Sequence, residues 1–295
     1  MTRNVILWGM LVCLCAACSR PIANFSYQGE AQAPARIKFE NTSEKAETYE
    51  WNFGDGTISQ DAEPTHRYLS SGNYTVTLKA TNQKNQSKTK SEKLTIESPK
   101  QCLVLLETDF GDMIIELFDA TPKHQDNFIK LVEQGFFDSL LFHRVINGFM
   151  IQGGDPNSKG AKPNQPLGSG GPGYTIPAEF VDSLVHIKGM LAAARTGDNV
   201  NPKKNSSGSQ FYIVQGRKLT ATDLDRIEAM KGFRYTTEQR EAYLSLGGTP
   251  QLDREYTVFG RVIEGLDVID AIAQQPTGQY DRPREDIRMK MTVIR

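Results

Sequence analysis

The side chains able to do chemistry are few, and most stand alone. The four histidines, His66, His124, His143 and His186, are scattered along the chain. Of the four cysteines, Cys13, Cys15 and Cys18 crowd the first 18 residues, and only Cys102 lies in the body. This pattern offers neither a disulfide framework nor the paired spacing of a zinc site, so no metal or other cofactor is expected. Gly168-Ser169-Gly170-Gly171-Pro172-Gly173 matches a nucleotide-binding glycine pattern by letter. Such a site needs a helix that starts at the glycines, which Pro172 and Pro177 oppose, so an irregular loop is expected instead. The richest segment is 142–155, where a cation, Arg144, and an amide, Gln152, stand among Phe142, Phe149, Met150 and Ile151. A guanidinium stays charged and presents its donors in a rigid fork. Taken alone, Arg144 reads as a surface arginine between core residues.

Groups like these need a scaffold, and 295 residues give room for two modest domains. Basic and acidic residues number 34 and 35, for a formal net charge of −1, so nothing points to nucleic acid. The 38% hydrophobic content sustains a packed core. Residues 1–18 have the order of an export signal: a positive Arg3, an apolar run over 5–17, then Ala16-Ala17-Cys18. The run falls short of the ~20 apolar residues that span a membrane.

Ala16-Ala17-Cys18 resembles the lipobox of bacterial lipoproteins, although Cys15 stands where that family usually has Leu. The resemblance implies that Cys18 becomes the new N-terminus and carries a lipid. It implies a bilayer partner and a place in a bacterial cell envelope. The periplasmic face of the outer membrane is favoured, because Ser19 is not the Asp that retains such proteins at the inner membrane. An ordinary cleaved signal peptide is the alternative.

The chain reads as mainly β. From 23 to 96 short β-prone runs alternate with turn residues, as in a β-sandwich. Tyr49-Glu50-Trp51-Asn52-Phe53-Gly54-Asp55-Gly56, Pro64-Thr65-His66-Arg67-Tyr68 and Gly72-Asn73-Tyr74-Thr75-Val76 together resemble the PKD domain. That family is an immunoglobulin-like β-sandwich, and the resemblance covers about 22–97. Trp51 and Phe53 should point inward from one strand, with Gly54-Asp55-Gly56 as a tight turn. Asp55 and His66 have no nucleophile beside them and are read as structural. The domain reads as a spacer or interaction module, and 98–101 as a linker.

In 102–295, the runs 102–107 and 113–117 form a hairpin pattern. A helix follows, with Thr121 as N-cap, Pro122 in the first turn and Gly135 as the stop. Several ordered motifs then resemble the cyclophilins. They are Phe142-His143-Arg144 through Gln152-Gly153-Gly154-Asp155, Gly189-Met190-Leu191-Ala192-Ala193-Ala194-Arg195, Ser207-Gly208-Ser209-Gln210-Phe211-Tyr212-Ile213, Leu252-Asp253 and Val258-Phe259-Gly260. The family fold is a closed eight-stranded β-barrel capped by two helices, the second expected near 265–275. The implied activity is peptidyl-prolyl cis/trans isomerisation.

The resemblance assigns catalysis to Arg144 and Gln152. Amide resonance sets a barrier of ~20 kcal/mol, and a cation that donates to the proline nitrogen stabilises the twisted amide. A rate gain of ~10⁵ asks for only about 7 kcal/mol. Phe149, Met150, Tyr212 and Leu252 would line the proline pocket, Ala194, Arg195 and Gln210 the adjoining groove, and Tyr256 would also contact substrate. Phe142 and Arg144 are expected to project to one side of their strand. His143 is read as a packing or hydrogen-bonding residue, since the reaction transfers no proton. Tyr212 stands where Phe is usual, Arg195 where Asn is common, Gln251 where a Trp often supports cyclosporin binding, and Tyr256 where a nearby His is found. These departures put sensitivity to that drug in doubt.

Residues 218–248 form an insertion that a minimal cyclophilin lacks. Helical character is expected over 222–230 and 236–246, with Thr236 and Gln239 as a capping box. It reads either as a device that shapes access for protein substrates or as a surface decoration. The expected partners are proline-containing segments of unfolded or folding proteins, and a monomer is the default. The alternative function is a proline-segment-binding envelope chaperone or adhesion module in which catalysis is secondary.

Overall fold

The computed structural model describes residues 20–295, so the signal segment and Cys18 lie outside the described residues. The chain divides between Ser98 and Pro99 into two compact units.

Among the described residues, the first unit contains seven strands: β1 (Phe25–Gln28), β2 (Ala35–Asn41), β3 (Thr48–Asn52), β4 (Ile58–Ser59), β5 (Thr65–Tyr68), β6 (Gly72–Thr81) and β7 (Ser87–Ile96). They form two antiparallel sheets, ordered β1-β2-β5 and β4-β3-β6-β7. In β2, Ala35, Ile37 and Phe39 are buried and Arg36 and Lys38 exposed, the period-2 pattern of a half-buried strand. The sheets share an aromatic core in which Phe39 packs 5.3 Å from Trp51 and 5.4 Å from Phe53. Trp51 and Phe53 do point inward. Gly54 and Gly56 take positive φ in the turn, and Asp55 Oδ1 accepts the Thr57 N–H. His66 stacks on Phe53 and contacts Asp55 Oδ2 at 2.7 Å, so both polar residues brace the turn.

The second unit contains β8 (Leu103–Thr108), β9 (Gly111–Leu117), α1 (Pro122–Glu133), β10 (Arg144–Ile146), β11 (Met150–Gly153), β12 (Thr175–Ile176), β13 (Met190–Ala193), β14 (Ser206–Ser207) and β15 (Phe211–Val214). It continues with α2 (Ala221–Lys231), α3 (Thr237–Leu246), β16 (Val258–Glu264), α4 (Leu266–Ala273) and β17 (Met289–Ile294). Eight strands form one antiparallel sheet, ordered β10-β11-β15-β13-β16-β9-β8-β17. Its two ends meet through a single bridge, Leu141 with Arg288, and through flanking bonds such as Phe142 N–H to Ile287 O. A full closing ladder is not formed, because β10 is only three residues long and begins beyond this contact. The concave interior is filled by residues such as Val145, Ile151, Leu191 and Phe211, and α1 and α4 cover it with Phe128, Leu131 and Ile269. α1 and α4 are the two capping helices, and α2 and α3 form the insertion.

Thr121 does stand at the N-cap of α1, but its hydroxyl donates to Phe118 O and caps nothing. The free N–H groups of Lys123 and His124 go instead to the carboxylate of Glu179, 3.2 and 3.1 Å away. An anion at the positive end of the helix replaces the local cap. At the other end Gly135 takes φ 65°, and the N–H groups of Gly135 and Phe136 bond to Val132 O and Leu131 O. That is a Schellman closure, which only a residue at ease with positive φ completes cheaply.

The expected capping box of the insertion forms, with Thr236 and Gln239 bonding reciprocally at the start of α3. A second box, Thr220 with Asp223, opens α2. Leu224 and Tyr243 are fully buried between the helices and Val185, so the insertion has a small core of its own.

Candidate functional site

Strand register brings the segment 142–155 to its chemistry. Arg144 on β10 pairs with Gln152 on β11, Gln152 pairs with Tyr212 on β15, and Tyr212 pairs with Ala192 on β13. Residues directly opposite across antiparallel strands share a face and lie about 5 Å apart. A cation, an amide and an aromatic ring therefore stand in one row on the outer face of the sheet. Val145, Ile151 and Ile213, one residue along, point into the core.

Phe142 does not share the face of Arg144. It is buried in the interior core and packs edge-on against Phe211. The ladder starts only at Arg144, so the strict alternation of a strand does not extend back to Phe142.

Amides link the polar part of the row. Arg144 Nη1 donates to Gln152 Oε1 at 3.4 Å, and Gln152 Nε2 donates to Gln210 Oε1 at 3.1 Å. Gln210 Nε2 in turn donates to Gly168 O and Gly170 O, at 2.9 and 2.8 Å. The glycine segment 168–173 is an irregular loop, as expected, and it is tied to the site by Gln210 and by Asp155, which accepts its N–H groups. Arg144 and Gln152 line an open cavity of about 940 Å³ whose other walls come from the segments 163–168 and 278–288. Asp281 in that loop accepts from Arg144 Nε at 3.4 Å. Nothing in the sequence around Asp281 marks it as a partner of Arg144.

The apolar part of the row is a single cluster. Met150 and Tyr212 are buried in it, and Phe149, Ala194, Leu252 and Tyr256 are half-buried against it. Every apolar residue expected in the pocket is thus gathered beside Gln152. Arg195 is folded against this wall. Its guanidinium lies 4.6 Å from the Tyr256 ring centre, and its Nε donates to Glu255 O. Tyr256 meets the Tyr212 ring edge-on at 5.8 Å. Arg195 is a prop for the wall, with its side chain only 5% exposed.

His143 and His124 are structural. Both ring nitrogens of His143 are buried without a hydrogen-bond partner, so it is a packing residue, and burial pushes it down to about 4. His124 stands between Glu179 Oε2 at 2.7 Å and Ser206 Oγ at 2.9 Å, a serine–histidine–carboxylate geometry. Ser206 is 1% exposed, which denies its oxygen a substrate, and Glu179 is committed to the start of α1.

The sequence profile of the family described as "Cyclophilin type peptidyl-prolyl cis-trans isomerase/CLD" matches residues 103–294. The chain belongs to this family. Ahead of this cyclophilin domain, the PKD domain profile matches residues 18–96. A protein of Streptococcus pyogenes named as a candidate bifunctional phosphatase/peptidyl-prolyl cis-trans isomerase is 40% identical over 187 residues, which is 62% of this chain and 37% of the relative. A protein of Staphylococcus epidermidis named as a candidate peptidyl-prolyl cis-trans isomerase is 38% identical over 62% of this chain and 87% of its own length. This chain therefore spans well under half of the streptococcal relative and most of the staphylococcal one. Among solved structures, a Cryptosporidium parvum cyclophilin type peptidyl-prolyl cis-trans isomerase matches with 27% identity, a TM-score of 0.49, and coverage of 66% of this chain and 98% of that one.

Proposed function

We propose that this cyclophilin accelerates X–Pro rotation in envelope proteins during folding, with Arg144 and Gln152 as its catalytic residues. The observation that carries the reading is the register row Arg144–Gln152–Tyr212, which sets a fixed cation beside an apolar wall. A proline ring seated against Met150, Tyr212 and Leu252 brings its nitrogen toward the Arg144 guanidinium. The twisted amide has regained its nitrogen lone pair, and a donor there stabilises it more than the planar ground state. Gln152 holds the substrate backbone on one side of the bond. Ala194, Arg195 and Gln210 border the path of the peptide.

An isomerisation assay on a short X–Pro peptide tests the assignment. Arg144→Ala should lower kcat/KM by about 10²–10³, the scale of losing one preorganised donor at a developing charge. Arg144→Lys should recover little, since an ammonium lacks the fork. Unchanged turnover in folded Arg144→Ala would remove the guanidinium from the mechanism.

We further propose a lipid anchor at Cys18. It is supported by Arg3, the apolar run 5–17 and Ala16-Ala17-Cys18. Among the described residues no helix is long and apolar enough to cross a membrane.

A further inference from the structure

The insertion and the pocket meet at one buried carboxylate. Asp253 follows Leu252 directly, and it is 2% exposed. Its Oδ1 accepts the His186 backbone N–H at 2.8 Å and lies 2.7 Å from His186 Nδ1. Its Oδ2 accepts the hydroxyls of Tyr235 and Tyr243, both at 2.6 Å. Tyr243 belongs to α3, and Tyr235 to the turn between α2 and α3. On the far edge of its ring, His186 Nε2 meets the Tyr212 hydroxyl at 3.0 Å. The His186 and Tyr212 rings lie within 14° of parallel.

The direction of the bonds follows from donor inventory. A carboxylate only accepts, so Nδ1 carries a proton, and in the neutral imidazole Nε2 is then an acceptor. The Tyr212 hydroxyl is then the donor. Burial pushes the hydroxyls of Tyr212, Tyr235 and Tyr243 far above the ordinary tyrosine range, which keeps all three protonated. The order is Tyr212 to His186 to Asp253, with Tyr235 and Tyr243 feeding Asp253 from the insertion.

Two consequences follow for the pocket. The Tyr212 hydroxyl is consumed inside the protein, so the wall stays apolar despite the extra oxygen. The tilt of the Tyr212 ring is fixed by His186, which is fixed by Asp253, which is fixed by two hydroxyls of the insertion. We propose that Asp253 and His186 are positioning residues for Tyr212, and that the insertion sets the grip of the pocket on the substrate proline through Tyr235 and Tyr243. This rests on Tyr212 being a wall of the prolyl pocket, as proposed above. A purely stabilising network would change folding stability without coupling the insertion to substrate binding.

The full-length chain is compared as wild type, Y243F, Y212F and Y212F/Y243F, with kcat and KM for a short X–Pro peptide. Y243F should raise KM by about threefold or more with a smaller change in kcat, and this effect should vanish in the Y212F background, because members of one network are non-additive. An unchanged KM in Y243F, or the same factor in both backgrounds, overturns the proposal. Y235F supplies the same measurement if Y243F does not fold. Nitrogen NMR of His186 in the wild type needs no variant: a proton on Nδ1 is expected, and a proton on Nε2 alone overturns the relay. Y212A separates the two readings. If it leaves kcat and KM unchanged, Tyr212 is no pocket wall and the underlying assignment fails. If it is damaging while Y243F and Y212F remain additive, only the relay fails.

Discussion

At the scale of single residues, the site depends on what each side chain is denied. Arg144 has one carboxylate partner, Asp281, and both side chains are roughly half-exposed. Such a pair is weak and leaves the guanidinium available to a substrate. His143, next to it, is buried with no partner on either ring nitrogen. Burial drives it down to about 4, against the pull of the Asp155 carboxylate and with Arg144 and Arg282 adding to the depression. The unfolded chain therefore binds a proton that the native state resists. Stability from this group is fully present above the unfolded value near 6.5 and is lost as pH falls toward 4. Each pKa unit is worth about 1.4 kcal/mol, so denaturant unfolding should show a loss of a few kcal/mol between pH 7 and pH 4. His143→Phe should flatten that slope, and an identical slope in the variant would count against the account. Of the proposed site, the types of Arg144, Phe149, Met150 and Gln152 were readable from the segment 142–155. The Asp281 partner was not, because it comes from a loop more than a hundred residues away.

At the scale of elements, short strands carry the site, and their placement depends on close backbone approach. Gly154 follows β11 with φ +86°, and a Cβ there would fall 2.1 Å from Ser209 O. Ser209 leads directly into Gln210 and Tyr212. Gly154→Ala should therefore cost both the left-handed penalty of about 1–2 kcal/mol and a displaced strand. A lowered melting temperature together with reduced isomerisation is the expected outcome, checked by thermal denaturation and the peptide assay. A stable, fully active variant would show that the backbone can give way without moving the row. Helix starts divided by mechanism. The box at Thr236 is local, four residues long, and was visible in sequence. The start of α1 is satisfied by Glu179, 58 positions beyond Thr121 in sequence, and no local rule finds it.

At the scale of the whole molecule, the proposed lipid anchor rests on residues 1–18, ahead of the described strands of the first unit. If Cys18 carries lipid, replacing it should move the protein without harming its chemistry. Cys18→Ala expressed in a bacterial host should pass from the membrane fraction to the soluble fraction while the peptide kcat/KM stays unchanged. Fractionation and the isomerase assay check this, and a variant still found wholly with membranes would remove the anchor.

The sequence alone determined the order of the two domains, the strand-rich pattern of each, the capping box of α3 and the residue types gathered around Gln152. Those are properties of periodicity and of contiguous motifs, which act over a few residues. The tertiary structure decided the rest: which face Phe142 occupies, how little joins the ends of the sheet, what caps α1, and that Asp253 links the insertion to Tyr212. Each of these is a contact between segments distant in the chain, and its geometry is set by register and packing that no local pattern encodes.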